Sequence, residues 1–164
     1  MDVIWEELLS GLPDTRQLAR VIIRLAAATL LGAAVGIQRE RAGKPAGLRT
    51  HMLVTLGTAV FILACSGVNM DSDGLSRVIQ GIVTGIGFIG AGSILKLNEQ
   101  RDIQGLTTAA GVWMTAAIGV AVGLGSLGIA LLSTFFTLII LSFAGRLERR
   151  ADENRAAEVE SRNN

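Results

Sequence analysis

Five apolar stretches, each close to a bilayer in length and each closed by charged or turn-forming residues, constrain this chain more than any other feature. They run from Thr15 to about Ile37, Met52 to Val68, Val78 to Leu95, Leu106 to Leu124 and Ser126 to Ala144. A helix crosses the hydrocarbon layer with roughly 20 mainly apolar residues. The pattern therefore predicts an all-α polytopic membrane protein, a bundle of five transmembrane helices with a glycine-rich third helix. Half of the 164 residues are hydrophobic, 18% are charged and mean hydropathy is +0.50, so no sizeable water-soluble domain is expected.

The ends read differently from the middle. In VIWEELLSGL, Ile4, Leu8 and Leu12 share one helical face while Asp2, Glu6 and Glu7 turn away, which predicts an interfacial N-terminal helix over residues 1–13. Those acids stand where a cleavable signal peptide needs positive charge. Gly11 and Pro13 break the helix, and Asp14 with Gln17 reads as a cap that starts the next one. The membrane domain is assigned to residues 14–145. Residues 146–164 form a cytoplasmic tail with five acids and five bases, too polar to bury a core and expected to be partly disordered.

Counting Lys and Arg on alternate sides of five spans gives four on the N-terminal side and eleven on the other. Since the cytoplasmic side carries the excess, the N-terminus is predicted outside and the C-terminus in the cytoplasm. A net charge of +1 excludes the basic footprint of a general nucleic-acid binder, which leaves the lipid bilayer as the first partner. The single cysteine, Cys65, and single histidine, His51, exclude an internal disulfide and a metal site built of imidazoles or thiolates. No cofactor is expected. Proton sensing by His51 stays open.

Several residues break the membrane rule. Only 13 residues separate Arg24 from Arg39's loop, from Leu25 to Ile37, about 20 Å of helix against about 30 Å of hydrocarbon. Arg24 thus reaches membrane depth, either snorkelling outward or joining Asp73 and Arg77 in an intramembrane ion pair. Arg16, Arg20 and Arg24 continue into a strip of Ala28, Gly32 and Gly36 that should face protein. The third span places Gly81, Gly85, Gly87, Gly90 and Gly92 within twelve residues. Close helix packing is the favoured reading, and an interrupted helix lining a cavity is the alternative. Its GxGxxG at Gly85–Gly90 lacks the preceding strand that nucleotide binding requires. In the basic loop around Arg39 to His51, lipid anchoring explains Arg39, Arg41, Lys44 and Arg49 but not Glu40 or Thr50. These face the same side as Thr107 and Thr108 at the start of the fourth span, so Arg39, Glu40, Arg41, Arg49, Thr50, Thr107 and Thr108 are the candidate binding or partner residues.

The runs GAAVGIQRERAGKPAGLRTHMLVTLGTAVF, SRVIQGIVTGIGFIGAGSILK and GLTTAAGVWMTAAIGVAVGLG resemble, in register and in order, the membrane domain of the MgtC/SapB family of bacterial inner-membrane proteins. The resemblance implies five membrane helices, a bacterial inner-membrane location, a link to magnesium limitation, and the proton-driven ATP synthase as a partner complex. It marks Arg39 to Arg41, Ala46 to Thr50, Arg77, the third-span glycines and Gly105 to Ala110 as signature positions. Thr107 departs from the asparagine of the longer, virulence-associated members, and the charged tail stands where those carry a folded domain, which makes the short SapB-like branch the nearer match.

Two functions compete on this reading. One is a regulatory or partner-binding membrane protein. The other is an oligomeric ion or small-solute transporter, since five short helices are thin for a transporter and a homo-oligomer would be required. An enzyme is not expected: the chain has no Ser-His or Cys-His arrangement at plausible depth and no HExxH spacing.

Overall fold

The computed structural model describes residues 14–67, 70–97 and 102–143. The expected interfacial helix over 1–13 and the tail over 146–164 lie outside these residues. Helix α1 spans Thr15–Arg41, α2 Leu48–Gly67, α3 Ser72–Gly92, α4 Leu106–Gly123 and α5 Leu127–Phe143. The first four are long and apolar enough to cross a membrane and α5 is a shorter apolar helix, so the all-α membrane bundle holds. Its surface is that of a protein dissolved in lipid: Ile129, Leu132, Phe136, Ile140 and Phe143 of α5 and Phe88 of α3 point outward. Burial in water would hide such side chains.

Local chemistry sets the helix ends. Asp14 accepts from the Thr15 amide at 2.7 Å and starts α1. Asp71 does the same for α3 by accepting from the Gly74 amide at 2.8 Å. Between α3 and α4 lies a feature that the apolar pattern did not reveal, a two-stranded antiparallel hairpin, β1 Leu95–Leu97 with β2 Asp102–Gln104. Gly105 follows it at φ 94° and leads straight into α4. A Cβ there would collide with the Ser93 carbonyl, so the junction needs glycine on two grounds.

The interior is built around α2. On one side Gly32 and Gly36 of α1 let its backbone meet Thr55, His51 and Leu48. A Cβ on Gly36 would stand 2.6 Å from the Leu48 Cα, and one on Gly32 would strike Thr55 Oγ1. On the other side Gly119 and Gly123 of α4 admit Thr58, the Thr55 and Ala59 carbonyls and Ile62. Both are small-x-x-x-small pairs. In lipid, where tails are as apolar as leucine, such close approach and its dispersion gain replace the hydrophobic drive. Ala28, Val35, Ala59, Ile118 and Val122 fill the core between them. The expected protein-facing strip of Ala28, Gly32 and Gly36 is thus buried.

The glycines of α3 correct an expectation. A Cβ on Gly81, Gly85, Gly87 or Gly92 would meet nothing within 4 Å, and one on Gly90 would reach only ordinary contact with Ala109 at 3.6 Å. Close packing within the chain therefore does not use them. Helix α3 is unbroken, buries only Ile86 and Gly90, and is separated from α2 by an open groove of about 620 Å³ that includes Leu53, Gly57, Phe61, Gly81 and Gly85. The reason is directional: five glycines in twelve residues spread around the helix instead of forming one contact ridge.

Candidate functional site

Charged residues near the chain's apolar stretches end up in three different settings. Arg24 is half-buried at the end of the bundle that holds the α4–α5 turn. Its Nη1 donates to the Gly123 carbonyl at 2.9 Å, one of the carbonyls that a helix C-terminus leaves without an intrahelical donor, and a cation there also meets the negative end of the helix dipole. The Arg24 guanidinium fills the space beside Gly125, whose φ of 84° makes the tight turn. The anticipated ion pair of Arg24, Asp73 and Arg77 is not formed among the described residues. Arg24 is committed to α4, while Asp73 and Arg77 are exposed on α3.

At the opposite end, where α1 turns into α2, two polar groups go inward, Arg39 and His51. The loop is shorter than the sequence suggested, only residues 42–47, because α1 continues to Arg41 and α2 starts at Leu48. Arg39 is therefore a helix residue, 2% exposed, and its Nη2 donates to Thr108 Oγ1 of α4 at 3.0 Å. A guanidinium removed from water requires such partners. His51, fully buried, places Nδ1 2.7 Å from Thr115 Oγ1, two turns further along α4 than Thr108. Thr55 Oγ1 in turn donates to the His51 carbonyl at 2.6 Å. Gly111 lies between the two contacts: a Cβ on it would sit 3.8 Å from His51 Cε1 and 4.0 Å from Arg39 Nε. Four residues of three helices thus form one buried polar cluster, Arg39 and His51 facing Thr108 and Thr115.

The other candidate residues divide around it. Glu40 is exposed, and its Oε2 accepts from the Leu48 amide at 2.9 Å, capping α2 from the preceding helix and closing the loop. Gly47 gives the carboxylate room, since a Cβ would come 2.9 Å from Oε2. Arg41 and Arg49 are exposed and Thr50 half-buried. Thr107 is exposed and lines a groove of about 480 Å³ between α4 and α5. Neighbours on a helix differ by about 100° in direction, so of the threonine pair only Thr108 reaches the cluster. His51 and Thr115 were absent from the candidate set. Spacing held the signal for them: Thr108 and Thr115 are seven residues apart, two turns on one face. Among the described residues no three His, Cys, Asp or Glu side chains gather as a metal site would require.

This arrangement joins the first loop to the start of α4, the same two segments that carried the family resemblance. The model of the MgtC family matches residues 25–150. The chain belongs to the MgtC family. Protein SrpB of Synechococcus elongatus is 44% identical over 139 residues, 78% of this chain and 76% of its own length. The protein named "Putative magnesium transporter YhiD" of Escherichia coli K12 is 42% identical over 139 residues, covering 80% of this chain and 64% of YhiD. Protein MgtC of Salmonella typhimurium LT2 is 47% identical over 117 residues, 71% of this chain but 49% of MgtC. This MgtC-family chain therefore spans less than two thirds of YhiD and about half of MgtC. No solved structure matches it.

Proposed function

We propose that this MgtC-family chain is a small regulatory, partner-binding protein of the bacterial inner membrane, linked to magnesium limitation or membrane energetics. The observation that carries this reading is the Arg39 guanidinium, buried in the polar cluster beneath the α1–α2 loop. A fixed positive charge at that depth opposes the entry of any cation, and the backbone contacts at Gly32, Gly36, Gly119 and Gly123 hold α1, α2 and α4 together around it. Gly81, Gly85, Gly87 and Gly92 of α3, beside which a Cβ would meet nothing, support the partner-binding half of the proposal, because small residues without neighbours let another helix approach closely. The ATP synthase is the complex suggested by the family resemblance, and a second copy of the chain is the alternative occupant. The excess of Lys and Arg on one side supports an N-terminus outside and a cytoplasmic C-terminus, with Arg41, Arg49 and the hairpin facing the cytoplasm. No catalytic step is part of this proposal.

The words "magnesium transporter" in the name of YhiD favour the second reading, an oligomer that passes ions between copies. Proteoliposomes holding only the purified chain distinguish the two. Under an imposed magnesium or proton gradient the regulatory reading predicts flux equal to that of empty vesicles. Sustained, saturable flux would establish the transporter.

A further inference from the structure

The groove between α2 and α3 stays open because both of its walls lack side chains where they would meet. A Cβ on Gly57 of α2, or on Gly81 or Gly85 of α3, would touch nothing within 4 Å. The lining is hydrocarbon, with Leu53 and Phe61 on one wall and Ile89 on the other. The one hydroxyl among the described lining residues, that of Thr58, donates to the Val54 and Thr55 carbonyls at 2.9 and 3.1 Å. A polar solute therefore finds no partner inside, whereas an apolar one restores dispersion contacts that an unfilled groove forfeits.

Width narrows the choice further. The groove follows α2 from Leu53 to Phe61 and α3 from Val78 to Ile89, about 12 to 16 Å at the helical rise. Its volume of about 620 Å³ then gives a mean cross-section of about 40–50 Å², against roughly 80 Å² or more for a helix 10–12 Å across with its side chains. A helix is too thick to seat there. Unbranched hydrocarbon chains are not.

The end nearest the α1–α2 loop is charged. Thr50, Leu53, Gly57 and Phe61 follow at i, i+3, i+7 and i+11 on one face of α2, and Arg49 stands one turn before Leu53. Arg49 is exposed and Thr50 half-buried, and among the described residues neither side chain has a hydrogen bond or ion pair. Thr55 and Thr58, by contrast, return their hydroxyls to carbonyls four residues back. Glu40 is turned to the Leu48 amide. Arg41, nine residues after Gly32 on α1, is half a turn out of phase with it and so points away from α2. Arg49 with Thr50 beside it is thus left to bind an anion, and a guanidinium suits phosphate best.

We propose that the α2–α3 groove is a site for one anionic phospholipid of the leaflet at the α1–α2 loop, with its phosphate on Arg49 and Thr50 and its acyl chains along Gly57, Gly81 and Gly85. The two ends of the groove select it together: the lining refuses a polar solute, and the Arg49 charge favours a net negative headgroup over a zwitterionic one. Gly87 and Gly92 lie outside the lining and stay open to a partner helix. The site therefore holds for a regulator and for a transporter alike.

The test places the full chain in phosphatidylcholine nanodiscs doped with phosphatidylglycerol that carries a diazirine in one acyl chain. After illumination, peptide mass spectrometry maps the adducts. They are expected to concentrate on Leu53–Phe61 and Val78–Ile89, at several times the yield on α5, and to fall several-fold with excess unlabelled phosphatidylglycerol but not with more phosphatidylcholine. Arg49→Gln should lower them several-fold, while Arg41→Gln, the same charge change on the side away from α2, should leave them unchanged. Gly85→Leu fills the groove without a clash at its Cβ and should lower them as well. The proposal is overturned by adducts spread evenly over α3 and α5, the mark of ordinary boundary lipid, or by equal competition from phosphatidylcholine. It is equally overturned by an Arg49→Gln yield no lower than that of Arg41→Gln, by undiminished yield in folded Gly85→Leu, or by a groove free of adducts, as when a second copy of the chain covers it. Competition is measured on the wild-type chain, so it decides the matter even if Gly85→Leu does not fold.

Discussion

At the residue scale, adjacent threonines give the sharpest contrast in the molecule. Thr107 and Thr108 are alike in sequence, yet one looks into the α4–α5 groove and the other accepts from a buried guanidinium. Thr108→Val keeps shape and removes the acceptor, which should destabilise the chain by about 1.5–3 kcal/mol, the range for hydrogen bonds to charged groups. Thr107→Val should stay within roughly 0.5 kcal/mol of wild type, as surface substitutions do. Denaturation midpoints in detergent compare the two, and equal losses would show that Arg39 does not depend on Thr108. Arg39, Glu40 and Thr108 were legible as a group because charged and polar residues recur on one side of the predicted membrane. Which of them turns inward was not, since that depends on α1 running on through Arg41 and bringing Arg39 under α4. His51 was recognised only as a titratable residue at an interface, because nothing in a linear pattern records that Thr115 would face it.

At the scale of elements, the helices that matter most for packing are not those with most glycine. Gly32, Gly36, Gly119 and Gly123 occur as pairs four residues apart and meet α2 along one ridge each, while of the crowded glycines of α3 all but Gly90 face open space. Substituting Gly119 by Leu should abolish detergent-stable protein, since even a Cβ would strike Thr58. Gly85→Ala should leave the monomer unharmed or stabilise it by about 0.5–1 kcal/mol through its higher helix propensity. Yield after size-exclusion chromatography and thermal midpoint report both. A stable Gly119→Leu chain would refute the packing described for α4, and a collapsed Gly85→Ala monomer would refute the open face of α3. Element positions were read from apolar runs to within a few residues, with α1 and α2 both extending into what looked like loop. The hairpin was missed because strands of three residues, Leu95–Leu97 and Asp102–Gln104, are too short to display an alternating pattern.

For the whole molecule, the bilayer explains both the outward apolar side chains and the few inward polar ones. Apolar groups cost nothing at a lipid surface, so polar groups are the ones that must be enclosed. The bundle encloses them at two levels: Arg24 on the Gly123 carbonyl at the end of α4, and the Arg39–His51 cluster beneath the α1–α2 loop. The central claim is that the interior between these levels is dry and shut. In a Cys65→Ser background, Ala116→Cys puts a small thiol at a position 2% exposed in the middle of α4, and Leu106→Cys puts one at an exposed position at its start. A charged, membrane-impermeant maleimide is then applied to right-side-out and to inverted vesicles. The account predicts that Leu106→Cys reacts from one side and Ala116→Cys from neither. Rapid modification of Ala116→Cys from either side would reveal an aqueous path through the bundle and contradict it.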